Sequence, residues 1–182
     1  LKVPIVYNTN AYDSVQALHH DRIHPMQTRH SPSYASDVWA AKFSHTADYV
    51  TQARQAILEM HRQVGDKLML DDSGLVQRGL IVRHLILPNG LAGSRDSLTW
   101  LVNEVSPEVT ISIMSQYYPT CLAYRIPALQ RKVSISEYSA VLELLDELGL
   151  ENGWVQEMDA PESYLPHFER DGHPFAPAQL QA

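Results

Sequence analysis

The chain has 182 residues, of which 45% are hydrophobic, and this is enough apolar material for one core of domain size. Its net charge of −7 argues against non-specific attraction to nucleic acid or to an anionic membrane surface. The single cysteine, Cys121, excludes an intramolecular disulfide framework and favours a reducing compartment, so we expect a cytoplasmic protein.

The first predicted elements are a strand, a loop and a long helix. Residues 3–8 are β-branched and apolar and end in a turn signal, so they predict a buried strand at the very start of the chain, as in a fragment. Residues 19–33 show no periodicity, contain four of the nine histidines and predict an irregular loop. Residues 44–64 carry an apolar stripe at helical spacing and end at Gly65, which predicts an amphipathic helix.

The middle of the chain alternates strands with helices. A turn signal at residues 71–74 predicts a small hairpin, and residues 80–87 are nearly all apolar, as in a strand buried on both faces. A helix capped by Ser94 and a second buried strand over residues 109–114 follow. Ser134 and Glu137 then form a capping box that predicts the start of another helix.

This alternation predicts an α/β fold with a parallel sheet, either the C-terminal part of a barrel or an open sheet. Ligands of such folds bind at the carboxyl ends of the strands. Residues 1–150 therefore form the predicted domain. Residues 151–182 contain little core material towards their end and are predicted to be a peripheral C-terminal extension.

Several runs of the sequence resemble one family. VPIVYNTNAYDSVQAL, AILEMHRQVGD, GLIVRHLILPNGLAGS, ISIMSQYYP and ISEYSAVLELLDELGL follow one another as in radical S-adenosylmethionine proteins related to the pyruvate formate-lyase-activating enzyme. The resemblance covers nearly all of residues 1–150 except 19–33. It implies the C-terminal half of a partial (β/α)6 radical S-adenosylmethionine barrel. Residues 3–8 would be its fourth strand, 80–87 its fifth or sixth and 109–114 its last.

The resemblance also implies a cofactor and a reaction. A CxxxCxxC loop in such proteins holds a 4Fe–4S cluster, which reduces S-adenosylmethionine to methionine and a 5′-deoxyadenosyl radical. This radical abstracts hydrogen from a glycine of a partner protein or from a small molecule. The cluster needs three thiolates and this chain has Cys121 alone. We therefore expect the cluster loop and the first strands to precede Leu1, and we assign neither catalytic nor metal-ligating residues here.

Seven residues are the candidate cofactor ligands that the resemblance and the strand ends suggest: Asn8, Thr9, Asn10, Arg83, His84, Gln116 and Tyr117. The first three would contact the ribose and methionine portions, or would form an ordinary turn. A buried cation needs a partner, so either Arg83 or His84 is expected to face the barrel interior, with a structural ion pair as the alternative. Gln116 and Tyr117 would reach the adenine, or would pack at the rim.

Residues 19–33 depart from the family, which has a strand with a motif like Leu-Pro-Asp-Phe-Lys at that place. An out-of-frame stretch between two compensating changes explains the foreign composition, and a diverged loop is the alternative. The histidines His19, His20, His24 and His30 also allow a metal site, and with it an unrelated metal-dependent α/β-barrel hydrolase. A degenerate, inert gene product is the non-enzymatic alternative. The sequence indicates neither substrate nor oligomeric state.

Overall fold

The chain is an α/β protein built on one parallel sheet. The structure is a computed structural model that describes residues 7–8, 28–30, 36–44, 47–119 and 121–158. The parallel sheet contains β1 (Tyr7–Asn8), β2 (Thr28–His30), β5 (Leu80–Leu85), β6 (Thr110–Met114) and β7 (Gly153–Val155). A separate antiparallel hairpin contains β3 (Met69–Leu70) and β4 (Val76–Arg78). The helices are α1 (Asp37–Ser44), α2 (Tyr49–Val64), α3 (Ser94–Trp100), which continues into a π-turn over Leu101–Val105, and α4 (Ile135–Leu148).

The strands of the sheet lie in the order in which they occur along the chain, β1-β2-β5-β6-β7, and every neighbouring pair is parallel. Each connection between them therefore leads to the next strand in the same direction. Because such crossovers are right-handed, an order without reversal places the connecting helices on one face of the sheet. All the carboxyl ends of the strands meet at one edge.

The core lies between this helical layer and one face of the sheet. Leu80 and Val82 of β5 and Ile111 and Ile113 of β6 are buried on that face. They share a single apolar cluster with residues of α2, α3 and its π-turn, and α4: Ala56, Ile57, Met60, Leu98, Leu101, Val141, Leu144 and Leu145. The helices α2, α3 and α4 thus all pack against the same face of the sheet. Alternate residues of β5 and β6 face the other side.

The predicted capping box at the start of α4 is confirmed. The Ser134 hydroxyl accepts from the Glu137 N–H at 3.2 Å, and the Glu137 carboxylate accepts from the Ser134 N–H at 2.9 Å. Gly149 ends the helix in the left-handed region at φ 68°. Two orphan N–H groups at the helix start are thereby satisfied.

The predicted single helix over residues 44–64 is wrong at its beginning, because two helices meet there. The Asp37 carboxylate of α1 accepts from the Val50 N–H at 2.6 Å and from the Thr51 hydroxyl at 2.7 Å. The cap of α2 therefore comes from a residue of the preceding helix. A long-range cap of this kind leaves no signal in the local sequence.

The prediction of an irregular loop over residues 19–33 is wrong for Thr28–His30, which form β2 between β1 and β5. Strand pairing uses backbone N–H and C=O groups, which neighbours on both sides can satisfy whatever the side chains are. A three-residue strand is also too short to show a period of two. The rest of this segment lies outside the described residues, and so do residues 3–6 of the predicted first strand.

The strand β7 lies beyond residue 150, the predicted end of the domain, and pairs with β6 at the edge of the sheet. Gly153 makes this pairing possible. Its φ is 141°, and a Cβ built there would lie 1.8 Å from the Ile111 carbonyl oxygen, a distance that no side chain tolerates. Four strands of the sheet follow β1, and β7 comes after the predicted last strand over residues 109–114.

Candidate functional site

The face of the sheet away from the helices carries polar side chains beside the buried apolar side chains of Ile81 and Met114. Arg83 of β5 and Ser112 of β6 are partners in the ladder and lie on this face, half-buried. The Arg83 Nη2 atom lies 2.7 Å from the Met114 sulfur. Gln116 and Gln156 extend the same surface beyond the ends of β6 and β7. We call Arg83, Ser112, Gln116 and Gln156 the polar face.

Gln116 and Gln156 meet at the carboxyl edge of the sheet. The Gln156 Nε2 amide donates to the Gln116 Oε1 at 3.4 Å, and the Gln116 Nε2 lies 3.8 Å from the Met114 sulfur. The Gln156 Oε1 is buried and accepts no hydrogen bond from any residue that the structure describes. An unsatisfied buried acceptor costs about 1–3 kcal/mol, so this oxygen is a place where a donor is missing.

The backbone of Gln156 is held on both sides. Its N–H donates to the Ile113 carbonyl at 2.9 Å. Its carbonyl accepts from the Ser115 hydroxyl at 3.2 Å and from the Tyr138 hydroxyl at 3.1 Å. Ser115 is itself fully buried and also donates to the Glu157 carbonyl at 2.9 Å. These hydrogen bonds hold the backbone from which the Gln156 side chain extends. Sequence reasoning missed Gln156, because its position depends on the unpredicted strand β7.

Tyr117 has a packing role in this structure. Its hydroxyl donates to the Leu129 carbonyl at 2.8 Å. Its ring packs against both apolar clusters, the helix-side core and a smaller one around Leu87, Leu91 and Leu129. These contacts support the alternative of a rim packing residue. Of the predicted pair at the end of β6, only Gln116 belongs to the polar face.

Arg83 and His84 point to opposite faces, as neighbours in a strand must. His84 is buried on the helix side, with its Nε2 2.9 Å from the Ser94 hydroxyl. Burial lowers the pKa of His84 to about 4, so the ring is neutral near pH 7. Its Nδ1 has no hydrogen-bond partner in the described part of the chain. The structure thus separates His84 from the other candidates. It also shows that Gly93, and not Ser94, caps α3.

Of the other three predicted ligands, Asn8 ends β1, while Thr9 and Asn10 lie outside the described residues. The carboxyl end of β1 is at the same sheet edge as Gln116. Three strand spacings of about 4.8 Å separate β1 from β6, or roughly 14 Å. A single small group cannot touch both, but an extended ligand can.

A polar network that the sequence did not indicate fixes the rim beside the polar face. Asn89 follows β5 with a left-handed φ of 59°, and its N–H donates to Glu137 at 2.6 Å. Arg131 donates to both Glu137 oxygens at 2.7 Å and to the Asn89 side chain at 2.9 Å. The hydrogen bond from Arg131 lowers the pKa of Glu137 to about 2. Asn89-Gly90 is a typical turn dipeptide, but the hydrogen-bond partners Glu137 and Arg131 of Asn89 lie more than 40 residues away in the sequence.

A cleft lies at the amino edge of the sheet, at the starts of β6 and β7. This open cleft of about 440 Å³ is lined by residues of both charges and by the exposed Trp154. Its other lining residues include Asp66, Lys67, Glu108, Thr110 and Asn152. It lies at the opposite end from the glutamine pair, and parallel α/β folds bind their ligands at the carboxyl end.

The chain does not fit a 4Fe–4S cluster, because the ligation requires three thiolates and the sequence has one cysteine. Across the described residues, no group of three or more His, Cys, Asp or Glu side chains could hold a metal ion. His19, His20 and His24 lie outside these residues, and only the backbone of His30 is described. No helix in the same part of the chain is long and apolar enough to cross a membrane.

Comparison with known proteins gives one distant relative. An uncharacterised protein of Methanocaldococcus jannaschii is 20% identical over 149 residues, which are 82% of this chain and 40% of the relative. The chain therefore spans less than half the length of the curated protein that it matches. No family model and no solved structure matches the chain.

Proposed function

We propose that the chain is the C-terminal part of a radical S-adenosylmethionine enzyme of the glycyl-radical-activating type. The observation that carries this proposal is the unbroken order of five parallel strands with the helices on one face. A barrel requires this singly wound arrangement, whereas a doubly wound sheet reverses its strand order and has helices on both faces. The ordered runs of family-like sequence support the same conclusion.

In this proposal the polar face is the interior of a partial barrel. Arg83 supplies a fixed positive charge there, and Gln116 supplies an amide at the end of β6. Asn8 lies at the same edge roughly 14 Å from β6. This separation suits a ligand with two ends, such as a nucleoside joined to an amino acid, better than a compact metabolite.

The cluster ligands must come from residues outside this chain, since one cysteine cannot hold the cluster. When bound, that group would supply the electron for cleavage of the cofactor. The residues described here would bind and orient the cofactor and exclude water from it. The length of the archaeal relative, of which the matched region is 40%, leaves room for a cluster-binding half. The hydrogen donor would be a glycine of a partner protein or a small molecule in the cytoplasm.

The test is an extended protein that includes the in-frame coding sequence upstream of Leu1. That sequence should encode a CxxxCxxC motif. After anaerobic reconstitution and reduction, the extended protein should convert S-adenosylmethionine to 5′-deoxyadenosine, measured by liquid chromatography. A version with the motif cysteines replaced by alanine should form none. An extension without the motif, or one that binds the cluster but forms no 5′-deoxyadenosine, would refute the proposal.

Two neighbouring residues provide a matched control within this chain. In the extended protein, Arg83→Leu should raise the KM for S-adenosylmethionine, because it removes the charge on the polar face. His84→Gln changes a residue on the helix side and should leave that KM unchanged where the protein is folded. Equal KM values for both variants would argue against the polar face as the cofactor site.

A further inference from the structure

The cleft at the amino edge of the sheet contains a buried hydroxyl group without a partner. Thr110 lines this cleft of about 440 Å³, and the residue is only 7% exposed. Its hydroxyl forms no hydrogen bond with any residue that the structure describes. A hydroxyl both donates and accepts, and leaving it unpaired in a buried position costs free energy. The Thr110 hydroxyl is therefore available to a ligand in the cleft.

An exposed aromatic ring forms one wall of the same cleft. Trp154 of β7 is the ladder partner of Ser112, and Thr110 lies two residues before Ser112 in β6. Because side chains alternate along a strand, Trp154 and Thr110 project from the same face of the sheet. The Trp154 side chain lines the cleft and is 53% exposed, and the half-buried Leu68 lines it as well. The cleft thus combines an apolar wall with a buried polar group.

The charges in the cleft are mainly negative. Among its described lining residues, Asp66 and Glu108 are carboxylates and Lys67 is the one cation. Hydrogen bonds from the Ser106 and His61 side chains keep the pKa of the Asp66 carboxyl below its usual range, so this group is ionised at neutral pH. The Ser106 hydroxyl also accepts from the Glu108 N–H at 3.1 Å. Both carboxylates are therefore tied to the same serine.

Neighbouring groups add to the negative charge and hold Glu108 in place. The Asn152 side-chain amide donates to the Glu108 carbonyl and to its Oε2, both at 3.2 Å. The helices α2 and α4 end at Val64 and Leu148, a few residues before the lining residues Asp66 and Asn152. The carboxyl end of a helix carries a partial negative charge. The cleft therefore favours a cation over an anion.

We propose that this cleft binds a small aliphatic amine, with its ammonium group against the Thr110 hydroxyl and the Glu108 carboxylate and its carbon chain along the Trp154 ring. A primary ammonium group has three N–H donors and no acceptor, which suits an unpaired hydroxyl oxygen beside a carboxylate. Aromatic faces also attract such cations. In the described part of the chain no three ligating side chains gather for a metal ion, so the cleft suits an organic cation. The site lies at the end of the sheet opposite to the glutamine pair and is independent of the radical reaction.

The experiment compares butylamine with butanol, which has the same carbon chain and no charge at pH 7. Each is titrated up to about 20 mM into the full chain, because so small a ligand binds only weakly. The indole N–H resonance of Trp154, identified by its absence in Trp154→Leu, reports binding. We expect a saturable shift with butylamine and an affinity about tenfold higher than for butanol, the effect of a hydrogen bond between charged groups.

Two carboxylate variants and one hydroxyl variant isolate the contacts. Glu108→Gln should weaken butylamine binding about tenfold, whereas Glu104→Gln, the same change at an exposed carboxylate outside the cleft, should leave it unchanged. Thr110→Val should weaken binding several-fold and should melt no lower than the wild type, because the lost hydroxyl has no partner in the described fold. Equal affinity for butylamine and butanol, no saturable shift with butylamine, equal weakening by both carboxylate variants, or unchanged affinity in Thr110→Val would overturn the proposal.

Discussion

The two faces of the sheet use alternate residues of the same strands for different purposes. On the helix side Leu80, Val82, Ile111 and Ile113 are apolar and almost completely buried. On the other face the intervening positions include Arg83 and Ser112 together with the buried Ile81 and Met114, and the glutamine pair follows beyond the strand ends. Because side chains alternate along a strand, a short sequence can supply both stability and ligand chemistry. His84 is the exception, a polar residue on the apolar side.

The largest contrast should come from two neighbours on β6. Ile113→Ala removes a fully buried side chain from the core and should lower the free energy of unfolding by about 2–5 kcal/mol. Ser112→Ala, on the polar face, should lower it by less than about 1 kcal/mol. Urea denaturation of both variants measures the difference. Similar losses of unfolding free energy in the two variants would mean that both faces of the sheet contribute equally to the core.

His84, the polar residue on the helix side, should make the free energy of unfolding depend on pH. Its pKa is about 4 in the folded chain because of burial and about 6.5 when unfolded. Between these values the unfolded chain takes up a proton that the folded chain does not, so stability falls as the pH drops below about 6.5 and levels off below about 4. The loss is of the order of 3 kcal/mol.

Urea denaturation between pH 7.5 and pH 4 (roughly the range in which this histidine titrates) measures the effect of His84. The His84→Gln variant should have a flatter pH dependence than the wild-type chain. An unchanged slope would show that His84 does not titrate as a buried group.

A substitution in the edge strand β7 should disturb the polar face and leave the core intact. Gly153→Ala would force a Cβ to within 1.8 Å of the Ile111 carbonyl oxygen and should displace β7, at a cost of about 1–3 kcal/mol. Hydrogen exchange should then show lost protection at the Gln156 N–H and intact protection in β5. Lost protection in both strands would mean that β7 belongs to the core and is not a separable edge.

The smallest effect should come from the rim network. Glu137→Gln removes an ion pair with Arg131, whose side chain is 47% exposed, so we expect a loss of only about 1 kcal/mol at pH 7. The pKa of Glu137 is lowered to about 2 from 4.5, so its contribution is present above about pH 4.5 and is lost as the pH falls towards 2. Melting temperatures of the wild type and the variant should therefore converge in acid. A difference in melting temperature that stays the same at every pH would mean that Glu137 stabilises the chain through its capping hydrogen bonds and not through its charge.

The sequence predicted the elements that have long apolar runs or local caps, and missed those defined by distant partners. The strands β5 and β6, the hairpin, and α4 with its capping box were all visible locally. The strands β2 and β7 have three residues each, too few for a pattern, and only their neighbours in the sheet define them.

The same limit applies to the candidate site. Alternation requires Arg83 and His84 to face opposite sides, but the choice between the sides depends on where the helices pack. Gln116 could be predicted from its place after a strong strand. Gln156 could not, because its strand depends on the close approach of Gly153 to Ile111, which a sequence does not show.

The iron and sulfide content after anaerobic reconstitution, measured on the 182-residue chain and on the version extended upstream, tests the proposed function most sharply. We expect almost no bound iron for the chain itself, which has one cysteine, and about four irons per molecule for the extended protein. About four irons in the chain alone, or none in the extended protein, would contradict the proposed function.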